Sequence, residues 1–213
     1  SGGAWRITTP RGSVDAAQTL IATGGSGSGP FGWFRRRIIP VGSFIVVTEP
    51  LGAERLRRLL PNRRSYVTSN NIGNYFRVTE DNRLLFGGRA RFAMSNVKSD
   101  RESGYILRDS LVRAFPEFAD VRIDYCWGGS VDMSADRMPH AGQHKGLYYS
   151  MGYSGHGVQM AVHMGQIMTD MIDGNEHANP WGELKWPPIP GHFGKPWFLP
   201  AVGAYYRIKD FLY

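Results

Sequence analysis

The chain has 213 residues, 42% of them hydrophobic, 13% aromatic and 20% charged, with a formal net charge of +7. That balance is enough to bury a core and excludes collagen, coiled coil and bulk disorder, and no run approaches the roughly 20 apolar residues that a membrane span needs. A single cysteine, Cys126, excludes an internal disulfide and a cysteine-based zinc cluster, and with no signal-peptide pattern at the start the expectation is a soluble, cytoplasmic protein with no membrane partner. Ser1-Gly2-Gly3 reads as a leftover of cloning and is set aside.

In chain order, Ala4 to Thr8 and Ser13 to Ala16 read as two short strands around the turn Pro10-Arg11-Gly12. Thr19 to Thr23 is a short apolar run that stops at Gly24, the pattern of a buried strand ending at a glycine corner. Gly25-Ser26-Gly27-Ser28-Gly29 is a low-complexity loop. Ile38 to Val41 and Phe44 to Thr48 are strand-like, and Ala53 to Leu60 is a short helix ending before Pro61. Tyr75 to Thr79 and Arg83 to Gly88, joined by Glu80-Asp81-Asn82, form a hairpin signal. Ser103 to Phe115 has helical spacing and stops at Pro116; Val121 to Trp127 and Leu147 to Met151 return as strands. A helix follows from about Val158 to Ile172, with Val158, Ala161, Val162, Gly165, Met168 and Ile172 on one apolar stripe and Gly174 at its stop. Its methionines, Met160, Met164, Met168 and Met171, read as core filler. Asn175 to Pro200 is rich in proline, glycine and tryptophan and reads as an irregular tail.

The positive charge is concentrated. Between Phe31 and Ser65 stand eight arginines (35, 36, 37, 55, 57, 58, 63 and 64) against Glu49 and Glu54. No aromatic stacking platform, recognition helix or RNA-binding signature accompanies them, so no nucleic-acid partner is expected. What stays open is a solvated surface or a face that docks an acidic partner.

Two glycine motifs compete as cofactor loops. Gly27 to Gly32 matches G-x-G-x-x-G literally, but Pro30 lacks an amide and the segment after Gly32 reads as strand, so the motif is discarded. Gly152, Gly155 and Gly157 lie between a strand and a helix with the spacing G-x-x-G-x-G. Here backbone amides could approach a flat or anionic ligand, and the helix N-terminus adds partial positive charge. An ordinary strand-to-helix turn produces the same spacing more often. The histidines show no metal-ligand spacing and no serine sits in a nucleophile elbow, so neither a metal nor a hydrolase triad is expected.

Several segments in order carry a resemblance: Leu20 to Gly24; Arg37 to Ser43 and Thr48-Glu49-Pro50-Leu51; Tyr75-Phe76-Arg77; Asp81 to Gly88; Trp127-Gly128-Gly129; Asp136-Arg137-Met138-Pro139; and Gly152 to Val158. Together they resemble the C-terminal half of the D-amino-acid oxidase, glycine oxidase and sarcosine oxidase superfamily, with most similarity to its γ-glutamylputrescine oxidase-like branch. The resemblance covers nearly the whole chain.

It implies an α+β fold: a mixed, largely antiparallel substrate-domain sheet with flanking helices, plus the C-terminal pieces of a Rossmann-like FAD-binding domain. The expected division is 1–30 for the end of the FAD domain, 31–126 for the substrate domain, 127–174 for the return to the FAD domain, and 175–213 for the tail. The family's N-terminal phosphate-binding unit has no counterpart here, so the chain is expected to be a fragment whose partner is the missing segment, inactive by itself. The implied cofactor is non-covalent FAD, lined by Thr23, Gly24, Trp127, Gly128, Gly129, Gly152, Tyr153, Ser154, Gly155, His156, Gly157 and Val158. The implied reaction is oxidation of the CH–NH bond of a small amine or amino acid by hydride transfer to FAD, giving an imine and usually hydrogen peroxide. His156 and Gln159 are the catalytic candidates, Gln159 standing where sarcosine oxidases place a lysine, which keeps a dehydrogenase open. Tyr75 and Arg77 are the substrate candidates. The alternative is a non-catalytic module that docks a partner through the arginine-rich segment.

Overall fold

The computed structural model describes residues 4–25, 32–89, 92–175, 177 and 179–212. It divides into two compact units, Ser1–Pro40 with Val131–Pro196, and Val41–Ser130 with Trp197–Tyr213. Two strands, β4 (Ile39–Thr48) and β8 (Ile123–Met133), carry the chain across the division.

In the first unit, β1 (Trp5–Thr9) and β2 (Gly12–Ala16) form an antiparallel hairpin. A separate three-stranded sheet has the order β3 (Leu20–Ile21), β10 (Leu147–Met151), β9 (His140–His144). β3 runs parallel to β10, pairing Leu20 with Tyr148, whereas β9 runs antiparallel to it. Leu20 is 40% exposed and Thr23 is exposed, so the buried strand expected at 19–23 is a short edge. An edge strand meets partners on one side only, and two residues suffice to register it.

Gly32 opens the short helix α1 (Gly32–Arg35), a correction to the strand expected there; residues 26–31, with most of the discarded glycine motif, lie outside the described residues. The long helix α4 (Gly157–Ile172) buries Met164, Ile167, Met168 and Met171 around Ala141, as the filler reading of the methionines expected. Of the expected stripe, Met168 turns inward, whereas Val158 is 88% and Val162 78% exposed. The helix is apolar on two faces, and periodicity alone does not say which one turns inward.

The second unit is built on a five-stranded sheet of order β5 (Tyr66–Val67), β6 (Asn74–Val78), β7 (Leu84–Gly88), β4, β8. The pairs β5–β6, β6–β7 and β4–β7 are antiparallel. Alternate residues Phe44, Val46, Val78, Leu84 and Phe86 point to one face, where Leu107 and Leu111 of α3 (Val97–Ala114) and Leu56 of α2 (Ala53–Leu59) close the core. α3 starts six residues before the expected Ser103 because Asn96 and Ser99 cap it reciprocally, Ser99 N donating to Asn96 Oδ1 at 3.0 Å and Asn96 N to Ser99 Oγ at 2.8 Å. α5 (Leu199–Leu212) stands where a tail was expected; Pro200 lies in its first turn, where the missing amide costs nothing.

The arginine-rich stretch is divided between the two units. Its first three arginines belong to the first unit and its last five to the second. Arg37 donates to the carbonyls of Trp186 (2.6 Å) and Trp33 (2.9 Å) and lies over the Trp33 ring. Arg55 donates to the Glu117 carbonyl, Arg58 to the Glu117 carboxylate, and Arg63 to Asn82 and Thr79. Half of the cluster is thus bonded to the protein's own acceptors.

Candidate cofactor site

β10 ends at Met151 and α4 begins at Gly157; the five residues between them make the turn that the glycine spacing singled out. Three of them have left-handed backbone: Gly152 (φ 82°), Ser154 (φ 53°) and Gly155 (φ 100°). For a serine that geometry costs on the order of 1 kcal/mol, and local bonds hold it. Ser154 N donates to the Asp132 carbonyl at 3.0 Å, and Ser154 Oγ donates to the Gly152 carbonyl at 3.1 Å.

Asp132 is the organiser of this turn. Its side chain is buried, 8% exposed, and Oδ2 accepts from Gly152 N at 2.6 Å and Tyr153 N at 3.3 Å. A carboxylate bonded by two amides is well compensated for its burial. The same carboxylate packs against Gly24, where a Cβ would stand 3.6 Å from Oδ2. Asp132 therefore ties the glycine corner after β3 to the glycine turn after β10. Sequence reasoning missed it; the available signal was an acid inside an otherwise apolar strand end, Val131-Asp132-Met133.

Behind the turn lies a second support. A Cβ on Gly152 would meet Ser134 Cβ, the Met138 carbonyl and His140 Cδ2 at 3.4–3.5 Å. His140 is 1% exposed, stacks on Trp186 with centroids 4.5 Å apart, and places Nε2 3.1 Å from Asp136 Oδ1. Burial holds the His140 pKa below its ordinary value, against the opposing pull of Asp136, so the ring is neutral at pH 7. Burial likewise pushes the Tyr153 phenol up; its oxygen meets Ser150 Oγ at 2.8 Å.

The outer side of the turn is open. Gly155, His156, Val158 and Gln159 are exposed, and a Cβ on Gly155 would meet nothing within 4 Å. No side chain caps α4 and no acid lies in its first turn, so its N-terminal amides present uncompensated partial positive charge. The structure thus brings Thr23 and Gly24 to the same end of one sheet as Gly152 to Gln159. The other candidates lie in the second unit. Trp127, on β8, is 44% exposed; Gly128 abuts Phe44, Ser95 and Asp100; Gly129 faces open space. Tyr75 and Arg77 are on the face of β6 opposite the core, with Tyr75 Oη 3.0 Å from Ser43 Oγ. Among the described residues no three histidines, cysteines or acids gather as a metal site, and no helix is long and apolar enough to cross a membrane.

A strand running into a left-handed glycine turn and an uncapped helix N-terminus is an arrangement that can receive an anionic or flat ligand. The chain belongs to the DAO family, described as FAD dependent oxidoreductase, which matches residues 1–171. It is 36% identical to a probable oxidoreductase OrdL of Haemophilus influenzae over 73% of this chain and 35% of the relative. It is 30% identical to the gamma-glutamylputrescine oxidoreductase of Escherichia coli over 96% of this chain and 48% of the relative. A solved glycine oxidase from Geobacillus kaustophilus superposes with a TM-score of 0.64 over 87% of this chain and 48% of its own, at 18% identity. The chain spans between a third and a half of these relatives. The expected fold class holds: antiparallel sheets with flanking helices, in a family whose cofactor is FAD.

Proposed function

We propose that this chain is part of a flavoenzyme that oxidises the CH–NH bond of a small amine or amino acid, and that residues 152–158 face the flavin ring. The observation that carries this reading is the open turn pinned by Asp132 at the exposed N-terminus of α4. The residues fit the cofactor: Gly155 leaves room for a flat ring against the backbone, and no acid in the first turn of α4 opposes a group that carries negative charge. FAD, when bound, supplies the two-electron acceptor.

The chain's own residues position and polarise. The amides of Gly157 and Val158 would stabilise negative charge at the site, and His156 would donate a further hydrogen bond. Asp132 keeps the turn in the geometry that exposes those amides. Tyr75 and Arg77 would hold the substrate, the phenol through a hydrogen bond and the guanidinium through a carboxylate. An amine that also carries a carboxylate suits that pair, and the similarity to gamma-glutamylputrescine oxidoreductase across 96% of the chain supports this class. Gln159 carries no charge to assist oxygen, so we propose that the rate of peroxide release is modest.

The test is reconstitution. The chain by itself is expected to lack the visible flavin band, and co-expression with the N-terminal half of its parent protein to restore it. The reconstituted protein should bleach anaerobically with γ-glutamylputrescine, and a Clark electrode with catalase would then score peroxide. A yellow protein that no amine or amino acid bleaches would overturn the reaction; a colourless one would overturn the cofactor site.

A further inference from the structure

We propose that Ser43 is a positioning residue for the reaction proposed above: it donates a hydrogen bond to the Tyr75 phenol and so turns the phenol's own O–H towards the carboxylate of the amine. The inference rests on the reading that Tyr75 and Arg77 hold the substrate, and every residue it uses belongs to the second unit.

Strand register brings the pair together. Tyr75 on β6 is paired with Gly87 on β7, and Gly87 with Ile45 on β4. Ser43, two residues before Ile45 on the same strand, therefore lies on the same face of the sheet and diagonal to Gly87. Tyr75 reaches it by lying low over the Gly87 backbone, where a Cβ would stand 2.7 Å from the phenol oxygen. That places Tyr75 Oη 3.0 Å from Ser43 Oγ. Among the described residues neither side chain has a second hydrogen-bond partner. Without Ser43 the ring would keep its seat on Gly87, but the phenol proton would lose its fixed direction.

Two hydroxyls at that distance can be joined either way round. If Tyr75 donated, its oxygen would be left as an acceptor alone, beside Arg77, which stands two residues further along the same face of β6. Arg77 is exposed and, among the described residues, forms no ion pair. A guanidinium in that state draws an anion, and an anion needs donors around it. Binding of a carboxylate therefore selects the chain in which Ser43 donates to Tyr75 and Tyr75 to the carboxylate. In that chain the first bond polarises and strengthens the second.

The test uses the full-length parent enzyme with its flavin. Ser43→Ala should raise KM for γ-glutamylputrescine about three- to tenfold, the loss of one oriented hydrogen bond, and leave kcat unchanged. KM for N-acetylputrescine, which has no carboxylate, should not move. Ser43→Thr keeps the hydroxyl and should behave as the parent, and in Tyr75→Phe the addition of Ser43→Ala should cost nothing further. Glutarate, a dicarboxylate without an amine to oxidise, gives a readout free of turnover: titrated calorimetrically, it should lose affinity in Ser43→Ala by the same factor. Equal KM changes for the two amines, no rescue by threonine, or an unchanged KM and glutarate affinity in Ser43→Ala would each overturn the proposal. If no amine reduces the flavin, the flavoenzyme reading fails and glutarate alone decides the role of Ser43. Equal affinity in the parent and Ser43→Ala, or no binding to either, then overturns it.

Discussion

The ring of Tyr75 lies across the backbone of Gly87, its direct partner on the neighbouring strand, so closely that a Cβ there would stand 2.7 Å from the phenol oxygen and nearer still to the ring carbons. The glycine is what lets the aromatic lie down on the sheet, with its hydroxyl at Ser43. Gly87→Ala should force the ring away at a cost of about 1–3 kcal/mol, the range for overpacking. Chemical denaturation would measure it, and pairing it with Tyr75→Ala should recover part of the loss. Additive losses would show that the two residues do not share the contact.

Removing the carboxylate of Asp132 should loosen the turn it pins. Asp132→Ala leaves the amides of Gly152 and Tyr153 without their acceptor, at a cost of roughly 2–4 kcal/mol for two buried donors. Asp132→Asn keeps one acceptor oxygen and should fall between. Thermal unfolding ranks the three proteins; in the reconstituted enzyme, flavin retained on gel filtration should follow the same order.

Gly155 separates folding from cofactor binding. Its φ of 100° disfavours any side chain, so Gly155→Ala should cost about 1–2 kcal/mol of stability. The larger effect should be on flavin content, because the new methyl would project into the open side of the turn. Absorbance per protein, compared with the melting temperature, distinguishes the two effects.

His140 should make the first unit sensitive to mild acid. Burial lowers its pKa in the folded chain below the ordinary value near 6.5, so the unfolded chain takes up the proton first as pH falls. Stability is then constant above about pH 7 and declines as pH drops through 6.5. Asp136, whose pKa is also lowered in the fold, acts only in a lower window, below its ordinary value of 3.8. His140→Gln keeps a donor towards Asp136 but cannot titrate; its denaturation midpoint should lose the slope between pH 7 and 5. An unchanged slope would assign the effect elsewhere.

Much of this was legible in the sequence where one local rule decided. The hairpin at 74–88 and the strand–turn–helix at 147–172 rest on alternation, turn residues and helical spacing, and they stand at the expected places. Other features depend on partners far along the chain. That Met164 rather than Val162 turns inward depends on Ala141, and that Asp132 is buried depends on amides some twenty residues later. α3 and α5 were cut short or missed because their caps are atypical: Ser99 stands where a glutamate usually closes a capping box, and Pro200 reads as a stop although it begins a helix.

The parallel pairing of Leu20 with Tyr148 has a kinetic consequence. Those residues meet only after everything from 41 to 130 has been spanned, and closing so long a loop is cheapest once the intervening chain is already compact. Synthesis therefore favours an order of events: the continuous sheet between 41 and 130 condenses as a scaffold, and the glycine turn is completed last. Leu20 and Ile21 would lack their strand partner until residues 148 and 149 left the ribosome.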